Sequence, residues 1–374
     1  MNHHTDGYRD ATATRVPEEI VPSCKHSTRS KGNSPLFTLL DMQPLTYNSR
    51  IQILKMPFVA FKHLIENFDF HEIINLSTLS KRLKALIKCS IRRNKYKLGV
   101  HFDIYPKITL KLGEVECCFN FIRPPICYRN RLPLDETVIN AIKSQATNLS
   151  FTFNSDIDFL TMLSDDCFGH VPSIVDWINE NQSSINGCKF YGYRAENYDI
   201  LYFIQNCKVK RQLALGIDSD TYSIPQLHPR FDSDVVSLIG SREIPWVTLE
   251  DVSYFDCIEI GLGRFRSFSE KDLNSFLKCW IQGSNSRMKY FGVYVPYFKP
   301  EAIFEGIHVE KREESLVRHY EREPYGRFEL KGGNDIESKH GKLATVHQES
   351  EHFVNEIGET FTRHFCEFRI IVWN

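Results

Sequence analysis

The stretch Lys55–Lys88, KMPFVAFKHLIENFDFHEIINLSTLSKRLKALIK, decides how the rest of the chain reads. Three short amphipathic helices fit it. Pro57 suits a first helical turn, where the N–H it lacks would have no partner inside the helix. Phe58, Phe61, Leu64, Ile65 and Phe68 then recur at helical spacing. Asp69, with Glu72 three residues on, makes a capping-box pattern for a second helix, whose apolar face is Ile73, Ile74, Leu76 and Leu79. Ser80 is placed to cap a third, carrying Leu83, Leu86 and Ile87. These helices hold more apolar surface than they can hide among themselves. A unit below about 40 residues ordinarily needs a metal, disulfides or a partner. The stretch has no metal-ligand cluster and no cysteine pair, so the pattern calls for a partner protein.

Working outward, the 374 residues allow two or three units. An apolar content of 42% against 25% charge is that of a chain that mostly folds and buries a core. A net charge of −1 argues against nucleic-acid binding by the whole protein. The 11 cysteines are odd in number and scattered, so no disulfide framework is expected. There is no opening apolar signal and no run of 18 apolar residues. Reduced thiols, no membrane segment and a cytoplasmic or nuclear location are the expectation.

Residues 1–50 are polar and lack apolar periodicity, which predicts a disordered arm. Lys81–Lys97 carries eight Lys or Arg and no acid. Without interleaved aromatics it reads as a solvated helix face running into a linker. Leu98–Leu134 is β-rich in pattern. Beyond it, strands expected at Leu149–Phe153, Cys188–Tyr191, Gln212–Ile217, Cys257–Leu262 and Lys289–Val295 alternate with helices at Val171–Ile178 and Tyr198–Ile204. The clearest helix is Glu270–Gln282, with Ser269 and Asp272 at its start and Gly283 at its stop. The tail from Glu301 reads as helical to about Tyr320. A hairpin then turns at Lys331–Asn334, with further strands at Lys342–Val346 and Cys366–Trp373.

The fold class expected is therefore α+β. An N-terminal three-helix module is followed by an irregular leucine-rich-repeat-like α/β array, with helices along one side of a parallel sheet, and a β-rich C-terminal tail. The expected boundaries are 1–50, 51–97, 98–245 and 246–374.

Met56-Pro57-Phe58, with Asp69, Ile73-Ile74-Asn75-Leu76-Ser77 and Ser80-Lys81-Arg82, resembles an F-box of the form abundant in nematodes. The blocks Trp246–Asp251, Cys257–Gly261, Ser269–Trp280 and Gly283–Tyr290 are similar to the type 2 F-box-associated domain. Arg312–Arg318, Gly341–Val346 and Val372-Trp373 resemble the C-terminal segments found behind that domain in its family. The order of these motifs in one chain is more specific than any of them alone. The resemblance implies that the F-box binds a Skp-type adaptor, and through it a cullin-RING ubiquitin ligase. The later domain would hold a protein substrate of unknown identity. Carried over by position, Pro57, Phe58, Leu64, Ile65, Ile73, Leu76 and Ser80 are the adaptor-binding candidates. Spacing does not separate those that pack internally. Met56 stands where the family usually has Leu, a substitution of similar volume and greater adaptability.

Enzyme motifs are weak. Gly261-Leu-Gly263 lacks a third glycine and a P-loop lysine, and reads as a strand-end turn. Cys117-Cys118 has no C-x-x-C companion, and reads as buried packing. His319, His340, His347, His352 and His364 lack metal spacing and read as surface histidines. No G-x-S-x-G elbow occurs. Trp246 and Trp280 read as core anchors. No catalytic residue, metal or cofactor is expected.

Overall fold

The computed structural model describes residues 53–121, 133–192, 197–217, 230–239, 247–264, 268–322, 326–354 and 360–373. The chain divides into two compact units, Met1–Lys55 and Met56–Asn374. In the first, Ile53–Lys55 form one 3-10 turn. The expected disordered arm, residues 1–50, lies outside the described residues.

The second unit opens with α1 (Phe58–Glu66), α2 (Phe70–Thr78) and α3 (Lys81–Ser90). Asp69 caps α2 with the full capping box: its carboxylate accepts from Glu72 N at 2.8 Å, while Glu72 accepts from Asp69 N at 2.8 Å. Ser80 Oγ accepts from Leu83 N at 3.1 Å and starts α3. These local signals work as the sequence predicts, because each needs partners only three residues away.

The body is one sheet. Its strands are β1 (Lys97–Phe102), β2 (Lys107–Leu112), β3 (Val115–Asn120), β4 (Ile157–Leu163), β5 (Ile185–Gly192), β6 (Val209–Ile217), β7 (Val235–Leu238), β8 (Glu259–Arg264), β9 (Tyr290–Pro296), β10 (Glu310–Arg322), β11 (Gly326–Glu337), β12 (Leu343–Val354) and β13 (Thr360–Val372). Their order is β10-β11-β12-β13-β9-β8-β7-β6-β5-β4-β1-β2-β3. The centre, from β1 through β4 to β9, is parallel, and both flanks are antiparallel. The remaining helices are α4 (Glu136–Phe153), α5 (Val171–Asn181), α6 (Asn197–Asn206), α7 (Leu249–Val252), α8 (Glu270–Ile281) and α9 (Pro300–Ile303).

Strands β4 to β9 lie side by side in chain order. Right-handed crossovers that all step in one direction put their helices on one face. The register agrees. Val100, Leu160, Cys188, Leu213, Val236, Ile260, Phe291 and Ile370 form one continuous buried row across eight strands. Helices pack on this side: Phe102 meets Trp177 of α5, Phe190 meets Phe203 of α6, and Phe291 meets Phe276 of α8. The two neighbouring rows, on the opposite face, differ: one mixes Phe159, Val235, Tyr290 and Ile371 with Gly and polar residues, and the other is small or polar. The latter runs His101, Thr161, Lys189, Ala214, Ser237, Gly261, Gly292, Arg369.

Several expectations are corrected. Leu149–Phe153 is not a strand but the end of α4, which Asp135 caps and Ile139, Ile142, Ala146, Leu149 and Phe153 bury. The first strand of the parallel run is β4 instead. The charged tail from Glu301 to Tyr320 is helical only in α9, Pro300–Ile303. Residues 310–322 form β10, because pairing with β11 outweighs the helix-forming Glu, Lys and Arg. Lys331–Asn334 is not a hairpin turn. Gly332 and Gly333, at φ 63° and 103°, lie inside β11 opposite a bulge in β10, where residues 313–316 face Gly332 alone. Gly261-Leu-Gly263 lies inside β8 rather than in a turn. A helical N-terminal region followed by a mostly-sheet α/β body is the architecture.

Candidate functional site

The helical module presents two kinds of apolar residue. Phe61, Ile65, Ile73, Leu83 and Ile87 are buried. Phe58, Val59 and Leu79 are exposed, at 48%, 67% and 72%. Of the adaptor candidates, Pro57 and Phe58 are exposed, and Leu64 and Leu76 are half-buried. Ser80 is exposed, with its hydroxyl engaged in capping α3. Ile65 and Ile73 are 1% and 0% exposed and hold the module together. In this structure they are core positions of the module rather than surface ones. Val59 and Leu79 are accessible apolar residues outside the set that sequence position singles out. Leu79 follows α2 as its C-cap, where the helical period no longer assigns a face.

The module is seated on the body. Phe70 of α2, Tyr96 before β1 and Phe153 at the end of α4 form an aromatic triangle, with centroid separations of 5.6, 6.2 and 4.9 Å. Asn94 and Asn154 take left-handed conformations at φ 54° and 48°. Asn154 Nδ2 donates to Ile91 O at 3.0 Å, and Asp156 N donates to Asn94 Oδ1 at 2.8 Å. The basic run 81–97 supplies this seam. Lys88 lies 4.2 Å from the Phe151 ring centroid, Lys84 bonds Asn148, and Arg93 and Lys97 pair with Asp156 and Asp158. It is thus more than the solvated face expected from sequence. Exposed ion pairs stabilise little, so the aromatic burial carries most of the attachment.

The second feature is the face of the sheet away from the helices. Near β1, His101 lies between Thr161 Oγ1 (3.0 Å) and Thr109 Oγ1 (3.2 Å). Burial, aided by Lys107, lowers its pKa to about 4. At the other side, β10 and β11 bend at their bulge and strap across β8 and β9. Arg322 Nε donates to Glu259 Oε2 at 2.8 Å and its guanidinium lies 4.0 Å from the Tyr290 ring centroid. Tyr320 stacks on Tyr290 at 5.9 Å, and Tyr290, Leu330 and Ile371 close a small buried cluster. The strap passes Gly261 at ordinary contact distance: a Cβ there would lie 3.5 Å from Arg322 Nη2. Tyr290 Oη donates to Glu367 at 2.9 Å, and burial raises its pKa with Glu367 adding to the effect. The strap's bonds to Glu259 and the Tyr290–Glu367 bond are not legible in sequence, since their partners are 61 to 77 residues apart.

The weaker motifs have structural explanations. Cys117 is buried, but Cys118 is exposed, so the pair is not packed as a unit. His347 is half-buried, and its pKa is lowered by burial rather than being that of a surface histidine. Trp280 is buried, while Trp246 lies outside the described residues. Among the described residues no group of His, Cys, Asp or Glu could hold a metal ion. Among them, too, no helix is long and apolar enough to cross a membrane.

Residues 53–95, the helical module and its seam, match the family model of the F-box domain. Residues 230–293, from the loop before β7 into β9, match the model described as F-box associated. Comparison with curated proteins and with solved structures gave no match.

Proposed function

We propose that this chain is the substrate-recognition adaptor of a Skp-cullin-F-box ubiquitin ligase. The helical module would bind the Skp-type adaptor, and the sheet body would bind the protein to be ubiquitinated. The observation that carries the reading is the coincidence of an F-box match with exposed Phe58, Val59 and Leu79 on a module too small to need them outside. The F-box associated match in the body supports the second half. In this reading the chain is not an enzyme: it supplies position, and the chemistry belongs to other subunits. Parallel strands in chain order support reading the body as a degenerate repeat array, whose face away from the helices is a recognition surface.

The test is co-purification with a Skp-type adaptor. Replacing Pro57 and Phe58 together by Ala should weaken association about 30-fold or more, as loss of an anchor worth about 2 kcal/mol does. Because both residues are exposed, the far-ultraviolet spectrum and melting temperature should stay those of the wild type. A variant that binds the adaptor as well as the wild type would overturn the assignment of this face. Failure of the wild type to bind at micromolar concentration would leave an interaction protein that does not engage the ligase.

A further inference from the structure

At the foot of the sheet, a cleft of about 510 Å³ opens where β8, β9 and β12 begin and β13 ends. Its lining includes Ile258, Met288, Val372 and Trp373 on the apolar side, and Arg287, Lys289 and Lys342 as cations. Among the described residues no carboxylate lines it. Resting on the reading of this chain as a substrate adaptor, we propose that the cleft docks an acidic segment of the target protein. Carboxylates would meet Lys289 and Lys342, and an adjoining apolar side chain would lie on half-buried Ile258.

The three cations are not equivalent. Arg287 is held by Asp234 Oδ1 at 2.7 Å and by the Asp256 carbonyl at 2.9 Å, so its charge is answered from outside the cleft. Lys342 Nζ donates to the Ser286 carbonyl at 2.6 Å, a bond to a neutral group that leaves its charge uncompensated among the described residues. Lys289 is exposed and makes no ion pair among the described residues. Two ammonium groups therefore flank an apolar floor whose accessible part is half-buried Ile258 and Trp373, backed by buried Met288 and Val372.

The backbone at the foot is already paired. Lys289 N donates to Ile258 O at 2.7 Å, Val372 N to Lys289 O at 2.9 Å, and Trp373 N to Leu343 O at 2.8 Å. An incoming chain would find few unpaired backbone groups for strand addition, so recognition falls to side chains. Nucleic acid is the poorer occupant. The Trp373 indole is tied to Thr345 Oγ1 at 2.8 Å and lies under the Arg318 guanidinium at 5.3 Å, so a face that would stack a base is taken. The volume suits two or three side chains of a peptide rather than a large ligand.

The test uses the full chain and a fluorescein-labelled peptide of alternating Leu and Glu, read by anisotropy. A matched peptide with Gln for Glu, a labelled single-stranded oligonucleotide and inorganic phosphate as competitor complete the arms. The acidic peptide should bind, and the Gln peptide should bind at least tenfold more weakly. Lys289→Gln with Lys342→Gln should raise the acidic peptide's Kd by about tenfold. Lys299→Gln, an exposed lysine beyond the opposite end of β9, should leave it unchanged. Equal binding of the two peptides, no effect of the double variant, preference for the oligonucleotide, or full competition by millimolar phosphate would each overturn the proposal. Adaptor association is read on the same samples. Retained adaptor without peptide binding overturns this inference alone, and peptide binding without the adaptor overturns the proposed function alone.

Discussion

Asp335, its side chain only 1% exposed, accepts hydrogen bonds from both terminal nitrogens of Arg318 at 2.8 Å. The same carboxylate takes Arg312 Nε at 2.6 Å and Thr345 Oγ1 at 2.5 Å. Arg312 and Arg318 stand on either side of the β10 register shift, so a single carboxylate on β11 pins both flanks of the bend. The bend is what turns the strap onto β8 and β9.

Burial alone would raise the Asp335 pKa, but the bonds from Arg318, Thr345 and Arg312 outweigh it and hold the group at about 2. The folded pKa lies below the unfolded value near 4, so the stabilisation is complete above that value. It is lost as pH falls from about 4 towards 2. Asp335→Asn should cost about 2–3 kcal/mol at pH 7, the stabilisation its lowered pKa represents. The difference in melting temperature between variant and wild type should narrow as pH drops through that window. A constant difference would contradict the linkage.

Glu259 tethers the end of the strap through Arg322. Glu259→Gln keeps the shape and removes the charge. Hydrogen exchange should then speed in β10 and β11 by about tenfold, while β5 and β6 in the parallel centre keep their protection. Uniform acceleration across the sheet would mean that the strap is no separate opening unit.

Phe153 is fully buried within the aromatic triangle that joins the module to the body. Phe153→Ala should destabilise by about 3–4 kcal/mol. Chemical denaturation should register it in probes on both the helical module and β1, since the ring serves both. A loss confined to the body would show that the module is seated by other contacts.

Asn154 sits at φ 48° and bonds Ile91 O through its side chain. Asn154→Ala loses the bond and strains the backbone, and should cost about 1–2 kcal/mol. Asn154→Gly loses only the bond and should be the milder change. Thermal melts of the two variants decide it, and the reverse order would remove the left-handed conformation as a cause.

Legibility in the sequence tracks the range of the forces. The Asp69–Glu72 and Ser269–Asp272 boxes act within one turn, and both helix starts stand where the sequence puts them. Strands β5, β6, β8 and β9 are apolar runs bounded by breakers, and are visible for that reason. Strand β7 is four residues long and is made a strand by β6 and β8 on either side, so it leaves no signal of its own. β10 misleads, because Glu-Lys-Arg-rich sequence favours helix until a partner strand and Asp335 impose extension. At the candidate site, Pro57 and Phe58 stand at the exposed entry of α1, where the sequence puts them. Ile65 and Ile73 cannot be told from surface residues, because helical spacing gives a stripe and not its direction.

The row of paired strands from β1 to β12 is also a measure of length. Neighbouring strands stand about 4.8 Å apart, and eight such steps separate β1, beside the helical module, from β12, at the basic cleft. Along the sheet that is a reach of at most about 40 Å, shortened by twist. Reach in this architecture is stepwise: adding or deleting one strand–helix unit between β4 and β9 would move the cleft by a single strand spacing. The molecule thus sets the separation between its two ends by counting strands, with the aromatic triangle as the fixed mark from which the count begins.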